Sequence, residues 1–509
     1  MSEAEARFDA RRRAFGRWFG PLAALIIGLA PLDLEADAHR LAAICVLVVL
    51  WWITEAIPLA VTAVVGPALC VLMGVADAKS AFQGFAHPLI FLFLGGFILA
   101  RALSVCEVDR RITLWLLSRP WIGGRPARAF GAVTLITWGF SMWVSNTATT
   151  AMMLPIALGL ARTLGRHLPD TDETVAAMSR WTEGLMITLA YAASLGGVAT
   201  PVGTAPNMIA IEQIESQLGQ RIDFVQWMAF AFPVSACSVL LLLFLSLRRF
   251  PAPVAFVDGL TGELSDALRA LGPIRPAQRR VVAVFAATVL GWLTPAALRL
   301  LDPGGPFAQW GRAHMHEGVV ALLGVAALFL LPGDAKSTPD PHERGAPRLI
   351  TWRQAVDIDW GTLLLLGGGF AMSGVVFETG LADAIARGVL QDGGLPGGAP
   401  VLMFAAVGLV IYLTEVASNT ATTNMMLPVL IPIAVAAGFD ARLVAVGVAI
   451  AASYAFMLPV STPPNAIAYG SGRVRIVTMV RYGARLDLIG LVALWLFSLY
   501  VLPALLPST

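Results

Sequence analysis

The sequence predicts an all-α integral membrane protein. About eleven transmembrane helices and two re-entrant hairpins are expected, arranged as an inverted repeat. Three observations carry that prediction. First, 57% of the 509 residues are hydrophobic and only 13% are charged, about half the charged share of a soluble protein. Mean hydropathy is +0.74, and a soluble core cannot absorb so much apolar surface. Second, apolar runs of the roughly 20 residues that cross a bilayer as helix recur along the chain. Third, one polar motif appears twice inside such runs. The 48 Gly and 32 Pro also suit bundled membrane helices, which tolerate both. A net charge of +2 gives no sign of a nucleic-acid partner. Cys45, Cys70, Cys106 and Cys237 lie in or beside apolar stretches without any CxxC pair. They are expected to be buried free thiols.

Taken in order, spans are expected near 14–32, 40–57, 58–76, 88–104, 178–215, 224–247, 279–301, 316–332, 360–380, 441–475 and 484–507. The polar N-terminal stretch is too long for a cleavable signal peptide. Arginine placement sets the orientation. Arg7, Arg11, Arg12, Arg13 and Arg17 put the N-terminus in the cytoplasm. The loop around 248–280 holds Arg248, Arg249, Arg269, Arg275, Arg279 and Arg280 and is expected inside. So is the loop around 333–358, with Lys336, Arg344, Arg348 and Arg353. Expected outside loops are poor in basic residues: 77–87 has Lys79, 216–223 has Arg221, and 391–398 has none. The count closes on an outside C-terminus if runs 128–163 and 399–438 each leave on the side they entered.

Those two runs carry the repeat. Residues 145–155 read SNTATTAMMLP and residues 418–428 read SNTATTNMMLP. Upstream, FLFLGG (91–96) parallels LLLLGG (363–368). Gly95 lies 50 residues before Ser145, and Gly367 lies 51 before Ser418. Downstream, TPVGTAPN (200–207) parallels LPVSTPPN (458–465). Asn146 to Asn207 is 61 residues, whereas Asn419 to Asn465 is 46. The polar stretch RHLPDTDET (166–174) is expected to hold the extra length. One run opens on the cytoplasmic side and the other on the outer side, so the copies are expected to be inverted. Such repeats mark secondary transporters with a site at the repeat interface.

Each SNT lies near the middle of its run, which suits two short helices meeting halfway into the bilayer. Non-helical backbone at that depth survives only where it is buried in protein or lines a cavity. The helix that starts at the tip offers free N–H groups to an anion. Ser, Asn and Thr are also helix caps, so capping alone is the plainer alternative. Ser141 and Thr414 place a hydroxyl four residues before each SNT. The second repeated element is a Pro-Asn break, Gly203–Asn207 in one copy and Ser461–Asn465 in the other. Proline there should unwind the helix and expose carbonyls. Neutral oxygens of this kind suit a hard, weakly charged cation such as sodium. Neither cluster contains Lys or Arg. Glu415, inside the second run, is expected to pair with hydroxyls or a backbone donor. Glu55 is expected to mark a helix boundary.

At these residues the chain resembles the divalent anion:sodium symporter family, the di- and tricarboxylate transporters. The twin SNT motifs, both Pro-Asn loops and Trp51-Trp52-Ile53-Thr54-Glu55-Ala56-Ile57-Pro58 carry the resemblance, from about residue 40 to the C-terminus. It implies a homodimer that moves C4-dicarboxylates such as succinate, malate or fumarate with sodium. It further implies elevator-type alternating access. The scaffold would comprise 1–118 and 279–391; the transport domain would comprise 119–278 and 392–509. One sodium would be held by Ser141, Ser145, Asn146 and the Gly203 carbonyl. A second would be held by Thr414, Ala417, Asn419 and the Ser461 backbone. Substrate carboxylates would meet Asn146, Thr147, Thr204, Asn419, Thr420, Thr462 and Pro463. In one departure, Ala205 stands where the family has a second proline, which is expected to leave that loop less rigid. The motifs leave sodium-independent exchange, and citrate or sulfate as the anion, open.

Other chemistries lack their residues. The six histidines form no HExxH, and no Walker-type loop suggests ATP drive. No catalytic triad or carboxylate pair suggests an enzyme. A channel would need a pore open to both sides at once, which hairpins entering from opposite faces do not suggest. Segments 108–120 and 381–390 are expected to lie along the membrane interface as counterparts.

Overall fold

A computed structural model describes residues 3–122, 124–169, 171–257, 260–334, 347–390 and 397–506. Lys336, Arg344 and most of the 391–398 loop used above lie outside them. Among the described residues the regular structure is helical, with a single antiparallel bridge between Pro332 and Arg348.

Among the described residues, eight helices are long and apolar enough to cross a membrane. Six coincide with expected spans: Ala36–Thr54, Ala78–Val105, Phe224–Arg249, Pro276–Leu301, Trp360–Glu378 and Ile476–Leu505. The other two, Asn146–Arg166 and Asn419–Ala436, begin within the repeated motif. Pro306–His314 and Glu317–Leu330 would make a ninth span if taken together across their 66° bend. Helix starts follow ordinary capping chemistry. Asp223 and Gln226 form a reciprocal capping box that opens Phe224–Arg249, satisfying N–H groups that lack a helical partner.

Each SNT motif falls between two helices that stay in contact with each other. The first hairpin pairs Pro126–Ser141 with Asn146–Arg166, and the second pairs Gly398–Thr414 with Asn419–Ala436. The Pro-Asn motifs also sit at helix breaks. The first broken helix is Asp172–Val198 followed by Ala205–Leu218; the second is Ala441–Ala451 followed by Pro463–Gly470. One expectation fails here. The extra length of the first copy lies in Asp172–Val198, 27 residues against 11 in Ala441–Ala451, and not in the polar stretch 166–174. That stretch only ends one helix and starts the next. Counted back from the Pro-Asn motif, most of the added length is the N-terminal part of the helix, where residues 172–180 are exposed or half-buried, whereas every residue from Trp181 to Val198 is buried.

Three apolar cores organise the helices. The largest joins residues of the two hairpins and two broken helices to Phe224–Arg249 and Ile476–Leu496. At its centre the Tyr191 hydroxyl donates to the Phe456 carbonyl, and their rings lie 4.7 Å apart. A second core joins residues 38–70 to 365–382 and to Ala421 and Met425 of the second hairpin. A third joins 98–108 to 277–284 and 328–355. The amphipathic segments expected at the interface are helices Val108–Leu117 and Leu381–Leu390. All four cysteines are free thiols. Cys70 and Cys106 are buried and Cys45 is partly so, but Cys237 is exposed. Its helix, Phe224–Arg249, turns an apolar face outward, so an apolar run does not by itself bury a thiol.

Candidate functional site

Both hairpin tips and both helix breaks line one cavity of about 460 Å³. Ser145, Asn146 and Thr147 enter from the first tip, and Ser418, Asn419 and Thr420 from the second. The breaks contribute Gly203, Thr204 and Ala205 on one side and Ser461, Thr462 and Pro463 on the other. Residues about 270 positions apart in sequence thus face the same space. Ser141, Thr414 and Ala417 do not line it. They are buried behind the tips.

The two tips repeat one hydrogen-bond pattern. The Ser141 hydroxyl donates to Asn146 Oδ1 at 2.7 Å, and the Thr414 hydroxyl donates to Asn419 Oδ1 at 2.7 Å. Thr414 also reaches the Ala452 carbonyl at 3.0 Å. The hydroxyls of Thr147 and Thr420 engage no other described residue and border the cavity. The capping alternative holds for one tip only. Ser145 accepts from the Ala148 N–H at 3.3 Å, whereas Ser418 makes no side-chain cap.

The breaks are tied by their asparagines, a role the sequence did not suggest. Proline leaves the carbonyls of the preceding turn without a helical donor. Asn207 Nδ2 donates to the carbonyls of Gly197, Val198 and Thr200. Asn465 Nδ2 donates to the carbonyls of Ala455 and Leu458 and to Ser461 Oγ. Both side-chain oxygens, Asn207 Oδ1 and Asn465 Oδ1, are buried without a hydrogen-bond partner among the described residues. The two loops differ in their caps. Thr462 caps its helix through the Asn465 N–H at 3.3 Å, but Thr204 makes no cap and Ala205 opens the helix. Space is tight at the first break. A Cβ on Gly197 would sit 2.4 Å from Asn146 Oδ1, and one on Gly203 2.4 Å from the Gly197 carbonyl oxygen.

Each hairpin is also fastened to the neighbouring break. Glu415 accepts from the Met457 N–H at 2.7 Å and the Leu458 N–H at 2.9 Å, the backbone pairing expected for it. In the first copy the Thr200 hydroxyl donates to the carbonyl of Met142, the residue at the Glu415 position.

Beyond the tips, and with Val460, Pro464 and Ala466 of the second break, the cavity is bordered by Glu55, Leu59, Phe93, Phe97, Asp359 and Thr362. No Lys or Arg lines it. Glu55 ends Ala36–Thr54 in the left-handed conformation, φ 47°, as a helix boundary should. Its carboxylate is held by Arg12 at 3.1 Å and Arg13 at 3.5 Å. Arg12 also donates to the Val416 carbonyl beside the second tip. Asp359 accepts from the Thr362 hydroxyl at 2.6 Å. Phe93 and Phe97 stand one turn apart in FLFLGGF, and their counterparts in the GG repeat are Leu365 and Gly369. Among the described residues no group of three His, Cys, Asp or Glu side chains can hold a metal. The oxygen donors at the tips are instead hydroxyls, amides and carbonyls.

Residues 18–505 match the family model described as "Sodium:sulfate symporter transmembrane region". The chain belongs to this family. Within it, the chain is 32% identical over 496 residues to the sodium-dependent dicarboxylate transporter SdcS of Staphylococcus aureus strain bovine RF122, covering 96% of this chain and 91% of that one. It is 31% identical over 468 residues to SdcS of Staphylococcus saprophyticus, covering 91% and 86%. Among solved structures, the sodium:sulfate symporter fold seen here is similar to that of Alcanivorax borkumensis YdaH, with TM-score 0.55, 16% identity and coverage of 96% and 98%. Neisseria gonorrhoeae MtrF gives TM-score 0.54 at 13% identity, covering 94% and 98%. At these identities the two structures speak to the fold alone.

Proposed function

We propose that this family member is a secondary transporter that couples sodium ions to the movement of C4-dicarboxylates such as succinate, malate and fumarate. The observation that carries this reading is the pair of matched tips facing one cavity that no Lys or Arg lines. A dianion there must lean on hydroxyls, amides, helix N-termini and co-bound cations. One sodium sits among Ser141, Ser145, Asn146 and the Gly203 carbonyl. The second sits among Thr414, Ala417, Asn419 and the Ser461 backbone. Each is cargo drawn from solution and neutralises part of the substrate charge. Substrate carboxylates meet Asn146, Thr147, Asn419, Thr420, Thr462 and Pro463, with Thr204 as a further contact. The free hydroxyls of Thr147 and Thr420 support their place in that set. The dicarboxylate and the sodium dependence are supported by what the staphylococcal relatives are named for.

The protein works as an elevator in the cytoplasmic membrane, with its N-terminus inside and its C-terminus outside. Eleven spans and two hairpins form the inverted repeat. Parts 119–278 and 392–509 carry the site, and parts 1–118 and 279–391 form a scaffold that pairs into a homodimer. Sodium-independent exchange of one dicarboxylate for another is the second reading, since the neutral lining serves either. Uptake of labelled succinate into proteoliposomes separates them. An inward sodium gradient should drive accumulation. Uptake that instead requires internal succinate and ignores sodium would establish exchange.

A further inference from the structure

Away from the site, a second cavity of about 640 Å³ opens where Phe224–Arg249 and Ile476–Leu496 meet. The Tyr482 hydroxyl and Ser246 Oγ join these two helices at 2.8 Å. Arg249, Arg475, Arg481 and Arg485 line the cavity with Ile476, Val477, Thr478 and Tyr482, and no carboxylate does. Of the four arginines, Arg475 is paired, with Glu183 at 2.8 Å. Arg249, Arg481 and Arg485 make no hydrogen bond or ion pair to any described residue. Arg481 and Arg485 are four apart on one helix face, where like charges repel. A fold keeps such an arrangement at no loss when an anion sits between the charges.

Depth says which anion. Beyond Asp487 the helix runs through eighteen residues, 488–505, without a charge, roughly 27 Å at 1.5 Å per residue. That nearly fills a hydrocarbon core of about 30 Å. Arg485 therefore stands at the boundary between hydrocarbon and headgroups, with Arg481 one turn farther out. Exposed Leu488, Ile489 and Val492 continue the same helix face toward the membrane centre, and exposed Leu241 does so on the other helix. Cationic heads above an apolar track match a phosphodiester with acyl chains, not a free anion.

The geometry points to a binding site for an anionic phospholipid, with the headgroup phosphate among Arg249, Arg481 and Arg485 and the chains along Leu488 and Leu241. On the proposed orientation the cavity faces the cytoplasmic leaflet, where basic residues attract acidic lipids. The occupant is the phosphodiester of a membrane lipid such as phosphatidylglycerol.

Native mass spectrometry of the detergent-purified protein tests this directly. Phosphatidylglycerol should be retained well above phosphatidylcholine. The double variant Arg481→Gln/Arg485→Gln should lower that retention about 25-fold, at roughly fivefold per arginine near an anionic surface. Arg481→Lys/Arg485→Lys should keep most of it. Arg248→Gln, a neighbouring charge that stacks on Phe244 at 4.1 Å outside the cavity lining, should not change it. A monodisperse double variant that retains the lipid as wild type does would overturn the site. So would equal retention of the two lipids by wild type. Displacement of the lipid by millimolar inorganic phosphate would overturn the lipid assignment in favour of a free-anion site.

Discussion

At the scale of single residues, the site separates into side chains that hold the backbone and side chains that face the cavity. Asn207 and Asn465 belong to the first kind. Each amide serves three acceptors across a helix break. Leaving a buried acceptor unsatisfied costs about 1–3 kcal/mol. Asn207→Ala and Asn465→Ala should therefore lower the unfolding temperature even without sodium or substrate, as read by thermal scanning of the purified protein. Thr147→Ala and Thr420→Ala should behave oppositely. Their hydroxyls have no protein partner to lose, so stability should hold. Succinate affinity should fall roughly ten- to hundredfold, the usual worth of a hydrogen bond to a charged group. Wild-type affinity in a folded Thr420→Ala protein would reduce the second SNT to a structural turn. The sequence made the threonines legible because they recur in register. It hid the work of the asparagines, because an amide that spans three carbonyls depends on a bend whose shape no spacing encodes. Glu55 and Asp359 were hidden for another reason. They reach the cavity from elements distant in the chain.

At the scale of elements, hairpin and break move together only if something ties them. Glu415 supplies that tie in the second copy through two backbone N–H groups. Glu415→Gln leaves one acceptor and turns a donor against an N–H. It should loosen residues 453–462, seen as faster hydrogen exchange in that segment, with little change in the first copy. Unchanged exchange would remove Glu415 from this role. A surface element gives a pH-dependent counterpart. Helix Leu260–Ala270 docks through Glu263, which accepts from His167 at 3.0 Å and Thr163 at 3.0 Å and pairs with Arg166. Those hydrogen bonds, with the arginine charge, hold its carboxyl below the usual carboxylate range. A lowered carboxyl stabilises the docked form above its unfolded pKa, about 4.3, and that contribution fades as pH falls through the folded value. Proteolysis after Arg269 should therefore be slow at pH 7 and rise in Glu263→Gln at the same pH. The breaks and hairpins were readable as elements because polar motifs interrupt apolar runs. The extra turns of Asp172–Val198 were not. Its segment 181–198, buried on every side, carries no amphipathic period to mark its length.

At the scale of the whole molecule, the proposed mechanism requires the site to travel relative to the scaffold. A dianion with cations cannot cross hydrocarbon alone, so hairpins and breaks carry it. The boundary then lies along Trp360–Glu378, which touches both parts of the proposed moving unit. Ser373 donates to Gln213 at 2.7 Å, and Asn424 donates to the Leu365 carbonyl at 3.0 Å. These partners should change between states. A Ser373→Cys/Gln213→Cys pair, with the four native cysteines replaced, should be bridged by mercuric ion. Bridging should stop transport while succinate binding persists, and thiol should restore it. Full transport with the bridge complete would leave local gating instead. The central claim, however, is electrostatic: sodium supplies the positive charge that the cavity lining lacks. Linkage makes the test reciprocal, because sodium can strengthen succinate only as far as succinate strengthens sodium. The direct measurement is succinate affinity of the purified protein by calorimetry, in sodium and in choline at equal ionic strength. Affinity should collapse in choline and rise steeply with sodium concentration. Equal affinity in the two salts would contradict the account.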